Sequence, residues 1–173
     1  MNTTATDTAT QKIWSILNEV SDPEIPVLTV LDMGIIRDIM IKDDEVEIFI
    51  TPTYSGCPAV DAINIDIRLK LAEYGYKKVK LTQVLSPAWT TDWMSESGKE
   101  KLQQYGIAPP ASRTTDASRA RLDKLLFSEE QNIECPRCHS HHTTLLSQFG
   151  STACKALYQC DECKEPFDYF KCH

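Results

Sequence analysis

The stretch Glu45–Gly75, EVEIFITPTYSGCPAVDAINIDIRLKLAEYG, decides the fold of the first half of the chain. Its first residues predict a strand with one face on a core, because apolar side chains fall at every second position, at Val46, Ile48 and Ile50. From residue 58 to 74 the apolar spacing becomes helical, and Gly75 is a stop signal. The stretch therefore predicts a strand, a short turn that carries a cysteine, and a helix.

The flanking sequence completes one domain around this unit. An apolar face at i, i+3, i+4 and i+7 predicts a helix from Gln11, which Asp22-Pro23 ends. A β-branched run before Gly34 and the segment IIRDIMI predict two strands, KKVKLTQVL predicts another, and a helix is expected over 95–105. The order α-β-β-β-α-β-α predicts an α+β fold, a two-layer α/β sandwich. We expect a mobile tail at 1–10, this domain at 11–108, a linker with a short basic helix at 109–131, and a second domain at 132–173.

Composition and charge exclude several classes of protein. Apolar residues make up 42% of the 173 residues and charged residues 25%, as in a globular protein with a real core. The net charge of −7 disfavours a phosphate-binding surface, so we expect no nucleic-acid partner. No apolar run has the roughly 18 residues of a membrane helix, and the polar N-terminus is unlike a signal peptide, so we expect a cytoplasmic protein without a membrane partner.

Two C-x-x-C pairs near the C-terminus predict a metal site. Cys135, Cys138, Cys160 and Cys163 can supply four thiolates to one tetrahedral ion, as in a structural zinc site. Alternating residues between the pairs predict a hairpin with one pair at each base, which is the zinc-ribbon arrangement. A segment this small needs the folding free energy that a metal supplies. A redox dithiol and an iron–sulfur cluster remain as alternatives for the same cysteines.

The other soft ligands of this segment have simpler explanations. We interpret Cys154 and Cys172 as a small apolar side chain or surface thiol. His139, His141 and His142 could replace a sulfur, but a complete cysteine set makes this unnecessary.

Cys57 stands apart from the other six cysteines. Pro58 suits the first helical position and so places Cys57 at the helix cap, where free N–H groups and the helix dipole favour an anion. Classical Cys–His catalysis in this domain is disfavoured because no histidine occurs in residues 1–134. A ligand for a soft metal or a cluster is the better use of this thiol, and an ordinary buried cysteine is the alternative.

Three further loops carry polar motifs. Asp22-Pro23-Glu24 and Asp32-Met33-Gly34 could converge on the same end of the sheet, or could serve only as caps and turns. In the loop 86–92, Thr91 or Asp92 is expected to cap the next helix, and Trp89 is expected in the core.

These motifs together resemble two known families. The runs 22–26, 32–36 and 51–58 resemble the SufT-like iron–sulfur assembly family. The runs SPAWTTDWMSESGKEKLQQYGIAPP (86–110), FGSTACKALYQC (149–160) and CKEPFDYFKCH (163–173) are similar to an accessory-protein family of phenylacetyl-CoA epoxidase operons. The resemblance implies the SufT-like fold, a reactive Cys57, and Asp22 and Thr51 as neighbours that line its pocket. It also implies a role beside a di-iron oxygenase and a reductase with a [2Fe–2S] centre.

Our hypothesis from the sequence is a non-enzymatic maturation factor for this epoxidase. Cys57 would transiently hold iron or an iron–sulfur cluster, in a polar pocket shaped by Asp22, Glu24 and Thr51. The zinc ribbon would dock the client, which we expect to be the [2Fe–2S] reductase. Rival hypotheses are a structural or regulatory subunit of the oxygenase, a thiol-dependent transferase, and a zinc-ribbon nucleic-acid binder.

Overall fold

The computed structural model describes residues 3–42, 44–54, 56–110 and 133–171, with side chains from Thr8 onward. The chain divides into two compact units, Met1–Lys101 and Leu102–Cys172. No helix in these ranges is long and apolar enough to cross a membrane. Most of the predicted linker and its short helix lie outside the described residues, as do Cys172 and His173.

The first unit is a small α/β structure. Its elements are α1 (Thr3–Leu17), β1 (Ile36–Lys42), β2 (Glu45–Ile50), α2 (Ala59–Glu73), β3 (Val79–Gln83), a 3-10 turn (Thr91–Trp93) and the first turns of α3 (Glu96–Tyr105). The strand order is β1-β2-β3, in which β2 pairs antiparallel with β1 and parallel with β3. Helix α2 is the crossover that joins the two parallel strands.

The core of this unit lies between the sheet and its helices. The predicted face of β2 is confirmed, because Val46, Ile48 and Ile50 are all buried. The facing stripe of α2 is also buried, at Ala59, Ile63, Ile67 and Leu71. Helix α1 adds Ile13, Ile16 and Leu17 to the core. This arrangement confirms the predicted α+β class and its two layers.

Two predictions for the first unit are wrong. The tail expected over 1–10 is helical from Thr3, because extending an existing helix needs no new nucleus. The β-branched run before Gly34 is not a strand. It forms turns and makes one isolated bridge, Ser21 to Thr29, because Asp22 and Asp32 accept hydrogen bonds from backbone N–H groups that a sheet would need.

The second unit is a four-stranded sheet. Strands β4 (Ile107–Ala108), β5 (Thr143–Ser147), β6 (Lys155–Cys160) and β7 (Pro166–Phe170) lie in the order β4-β7-β6-β5. The predicted hairpin is the antiparallel pair β5–β6. The boundary between the units falls earlier than residue 108, because Ile107 and Ala108 pair with Asp168 and Tyr169 of β7.

Candidate functional site

Four cysteines of the second unit form a metal-ligating cluster. The Sγ atoms of Cys135, Cys138, Cys160 and Cys163 all lie within 4.8 Å of one another. The distance from Cys135 Sγ to Cys163 Sγ is 3.8 Å, and that from Cys138 Sγ to Cys160 Sγ is 3.4 Å. Four sulfurs bound to zinc at about 2.3 Å in a tetrahedron would be about 3.8 Å apart. The cluster therefore fits a tetrahedral ion of this size.

The backbone repeats the same turn at both C-x-x-C pairs. The N–H of Cys135 donates to the carbonyl of Ser140 at 2.9 Å, and the N–H of Cys160 donates to the carbonyl five residues later at 3.0 Å. His139 and Lys164 each follow the first cysteine of their turn by four residues and have φ of +62° and +63°. Their N–H groups donate to the carbonyls of Cys135 and Cys160 at 3.0 and 2.9 Å. Both turns thus present two sulfurs in the same way.

The pKa values of cysteines in the cluster are shifted because the sulfurs lie close together and close to backbone N–H groups. A backbone hydrogen bond from Ser140 favours the thiolate of Cys138, but hydrogen bonds with the neighbouring thiols, that of Cys160 first, outweigh it and raise the pKa of Cys138 to about 12. Cys160 has its pKa lowered to about 7, first by hydrogen bonds from backbone N–H groups of the second turn. Four ionised sulfurs at these distances need a cation between them. The donor set is suited to a soft or borderline metal such as zinc.

Within each C-x-x-C pair, the first cysteine is buried and the second is exposed. Cys135 and Cys160 are fully buried in the small core of the unit, whereas Cys138 and Cys163 are exposed. Both cysteines belong to one cluster of buried side chains in this core, together with Ala108, Ile133, Ala156, Tyr158, Phe167 and Tyr169. The metal ligands are therefore part of the apolar packing of this unit.

The neighbouring histidines are bonded to carboxylates at the surface. His139 Nδ1 lies 2.6 Å from Glu134 Oε1, and His142 Nδ1 lies 2.9 Å from Glu162 Oε1. The Glu162 hydrogen bond raises the pKa of His142 above its usual value. Cys154 is buried, and its Sγ lies 3.0 Å from Thr152 Oγ1.

Cys57 lies in the first unit, where β2 passes into α2. Pro58 has helical dihedral angles (φ −67°, ψ −24°) directly before the first residue of α2. The carbonyl of Cys57 accepts a hydrogen bond from Val60 N at 3.3 Å. Gly56 has φ of +89°, a conformation that favours glycine, and it turns the chain into the helix. Cys57 itself is half-buried, so its thiol remains accessible at the start of a 15-residue helix.

Thr51 is buried at the carboxyl end of β2, with 1% of its surface exposed. Its N–H donates to the carbonyl of Ile35 at 2.9 Å. Within the described ranges, its Oγ1 is a buried side-chain oxygen without a hydrogen-bond partner. An unsatisfied buried hydroxyl costs about 1–3 kcal/mol, so Thr51 is an exception to the usual pairing of buried polar groups.

Asp22 and Glu24 occupy the loop after α1. Asp22 is buried, and its Oδ1 accepts hydrogen bonds from the N–H groups of Glu24 and Ile25 at 2.8 and 2.7 Å. Glu24 is half-buried. These two hydrogen bonds stabilise the turn after α1.

Sequence reasoning did not find the network around Asp32. This buried carboxylate accepts hydrogen bonds from Thr29, Ser95 and Lys101. Ser95, and not Thr91 or Asp92, caps α3, because Ser95 Oγ accepts a hydrogen bond from Gly98 N at 2.9 Å. A signal was present in the sequence, since Ser95 directly precedes the helix. The expected core position of Trp89 is confirmed, with 4% of its surface exposed.

Comparison with known proteins agrees with this division of the chain. Residues 10–80 match the family described as "Iron-sulfur cluster assembly protein", and residues 120–171 match the "PaaD zinc beta ribbon domain". The first unit also has the fold of a domain of unknown function, DUF59, from Bacillus anthracis. That structure has a TM-score of 0.55 and 24% identity, and the match covers 58% of this chain and 97% of that one.

Two relatives cover different shares of the chain. A subunit of the "Putative 1,2-phenylacetyl-CoA epoxidase" of Escherichia coli is 48% identical over 93% of this chain and 92% of its own length. The "Fe-S protein maturation auxiliary factor" of Porphyromonas gingivalis is 38% identical over 53% of this chain and 89% of its own. The chain therefore belongs to the PaaD family, in which an iron–sulfur cluster assembly domain is followed by a zinc β-ribbon.

Proposed function

We propose that this protein is a non-catalytic accessory factor that helps to mature the iron–sulfur or iron centre of a multicomponent phenylacetyl-CoA epoxidase. Its relatives support this role, since they are named as an epoxidase subunit and as iron–sulfur maturation factors. The client that we propose is the [2Fe–2S] reductase component. The chemistry assigned to the chain is binding and release, with no bond formed or broken in a substrate.

The observation that carries this proposal is the position of Cys57. An accessible thiol at the start of α2 is a soft ligand for iron. A single thiolate leaves the other coordination positions of the cargo open to ligands of the client. Such a ligand suits transfer better than storage, because the cargo can leave without several bonds breaking at once.

We assign the surrounding polar pocket to Asp22, Glu24 and Thr51. The unpartnered Thr51 hydroxyl supports this assignment, since it lies on the same β2–α2 connection as Cys57. The Asp22 loop is attached to this connection through Ile35, whose carbonyl accepts the Thr51 N–H. Asp22 would shape the loop, and Thr51 would donate a hydrogen bond to the bound cargo.

We assign Cys135, Cys138, Cys160 and Cys163 as ligands of a structural zinc ion. The ion would neutralise the crowded thiolates and hold the two turns together, which supplies folding free energy to the second unit. The rigid turns would then present a docking surface to the client at a low entropic cost. We expect about one zinc per chain, lost in Cys160→Ser and retained in Cys57→Ser, as measured by elemental analysis.

The function is tested by replacing Cys57 in cells that also produce the reductase. We expect the reductase purified beside Cys57→Ser to have lost most of its [2Fe–2S] absorbance per chain, while Cys154→Ala, which removes a thiol outside both sites, leaves it unchanged. Full cluster content beside Cys57→Ser would refute the transfer role.

A second candidate function is a structural or regulatory subunit of the oxygenase complex, which the name of the Escherichia coli relative favours. A permanent subunit would co-purify with the oxygenase in a fixed ratio after its cofactors are loaded. A transfer factor would bind the apo-client and dissociate from the loaded one. Size-exclusion chromatography of the two client forms with this protein distinguishes these outcomes.

A further inference from the structure

The Asp32 carboxylate is buried and bonded on both oxygens. Its Oδ1 accepts from Ser95 Oγ at 2.9 Å. Its Oδ2 accepts from Thr29 N at 3.1 Å, Thr29 Oγ1 at 3.0 Å and Lys101 Nζ at 2.5 Å. The side chain of Asp32 is 8% exposed, whereas that of Lys101 is 38% exposed. The Asp32 carboxylate therefore connects the start of α3 with the loop in which Thr29 lies.

The backbone at this junction is packed closely. Ser95 N donates to the carbonyl of Asp32 at 2.9 Å. A Cβ atom added to Gly98 would lie 2.9 Å from Asp32 Cβ, so glycine is needed for α3 to approach this near. Close packing therefore holds the Asp32 carboxylate in one position, between α3 and the loop that contains Thr29.

A series of backbone hydrogen bonds leads from this junction to the proposed pocket. Val30, which follows Thr29, donates from its N–H to the carbonyl of Val20 at 2.9 Å and accepts from Ile35 N at 3.4 Å. Ile35 then accepts from Thr51 N at 2.9 Å. The loop that carries Asp22 is thereby tied to the carboxyl end of β2, and Asp32 fixes the far side of this loop.

Stability alone is a weak reason for an ion pair whose carboxylate is buried. Desolvation of the charges offsets much of their attraction, and apolar side chains of similar volume often stabilise a protein as well. A fully hydrogen-bonded polar network is more effective at selecting one conformation of a loop. Burial raises the pKa of Asp32, but the hydrogen bonds from Lys101, Thr29 and Ser95 outweigh it and hold the pKa below its usual value, so the carboxylate is ionised at neutral pH.

We propose that Asp32 and Lys101 are positioning residues, which hold the Asp22 loop in place at the carboxyl end of β2 so that the Cys57 site receives its cargo. This inference rests on the proposed function. It assigns a functional role to α3, an element that contributes no residue to the proposed pocket.

The test compares two lysines of the same helix in the full-length protein. Lys101→Met removes the cation from Asp32. Lys99→Met is the matched control, because it removes an ion pair with the exposed Glu96 from the same helix and leaves Asp32 its cation. We expect Lys101→Met to lower the [2Fe–2S] content of a co-produced reductase about tenfold, the scale of losing a supporting residue at a metal site. Lys101→Arg should restore it, and Lys99→Met should leave it unchanged.

Hydrogen exchange measured by mass spectrometry separates positioning from general stability. We expect Lys101→Met to raise amide exchange in residues 20–35, while exchange in α2 and β2 stays as in the unmodified protein. Unchanged reductase loading, or faster exchange throughout the first unit, would overturn the inference. Cys57→Ser in the same series tests the proposed function separately, because its failure to reduce loading would refute that function whatever Lys101→Met does.

Discussion

At the residue scale, the cysteines of this protein differ in what surrounds them. Cys57 is half-buried beside a helix start, whereas Cys135 and Cys160 lie within an apolar core and within reach of other sulfurs. An isolated accessible thiolate can exchange a ligand, but four thiolates in one cluster close a coordination sphere. The same side chain is thus suited to transfer in one unit and to structure in the other.

Asp32 gives a prediction about pH at this scale. Its pKa is below the usual 3.8 in the folded protein, so its contribution to stability is present above that value and is lost as pH falls through the folded-state pKa. We expect Asp32→Asn to lower the free energy of unfolding by about 2 kcal/mol at pH 7. The difference between the two proteins should shrink below about pH 4. Urea unfolding as a function of pH measures this, and a constant difference across the range would contradict it.

At the element scale, the turn at residues 32–34 is held by the segment that leads into α3. Trp89 Nε1 donates to the carbonyl of Met33 at 2.9 Å. The Arg37 guanidinium lies 3.6 Å from the centre of the Trp93 ring. Gly34 has φ of +65°, and a Cβ atom there would lie 2.1 Å from the Trp93 carbonyl oxygen. The turn can therefore accept only glycine at this point.

Two glycine substitutions separate packing from backbone strain. Gly34→Ala should cost about 3 kcal/mol, since it adds a collision with backbone to a strained φ. Gly75, at the end of α2, has φ of +92° and no neighbour within 4 Å of an added Cβ. Gly75→Ala should therefore cost only about 1 kcal/mol, from strain alone. Chemical denaturation gives both values, and equal costs would show that the Trp93 segment yields to the added methyl group.

At the scale of the whole molecule, the two units have different sources of stability. The first has a continuous apolar core from a sheet and its helices, whereas the second has a small core among its described residues, in which two cysteines of the metal-ligating cluster, Cys135 and Cys160, are buried. A domain this small rarely folds on apolar burial alone. We therefore expect the second unit to need bound metal in order to fold, and the first unit to fold without it.

Chelation tests this division. We expect removal of metal by a strong chelator to abolish the sheet of Leu102–Cys172 and to leave Met1–Lys101 folded. Amide exchange should rise in residues 143–170 and stay slow in β2 and α2, and re-addition of zinc should reverse the change. Cooperative loss of both units, or a second unit that stays protected without metal, would contradict this account.

Much of this molecule follows from local sequence patterns. The alternation in β2, the helical stripe of α2 and the paired C-x-x-C turns were recognisable because each depends on residues close together in the chain. The network of Asp32 was not, since Ser95 and Lys101 meet it only after folding, at separations of 63 and 69 residues, and only Thr29 is close to it in the chain. Strand β4 was not recognisable either, because its two residues pair with β7, about 60 residues further along the chain.

The sequence by itself therefore determined strand β2, helix α2 and the paired C-x-x-C turns, through periodicity and spacing. Only the tertiary structure decided that the turns after α1 replace a strand, that Thr51 has an unpartnered hydroxyl, and that the ion pair of the buried Asp32 ties α3 to the loop. The physical reason is that a side-chain hydrogen bond depends on distance in space. No local pattern encodes which distant donors a buried carboxylate will find.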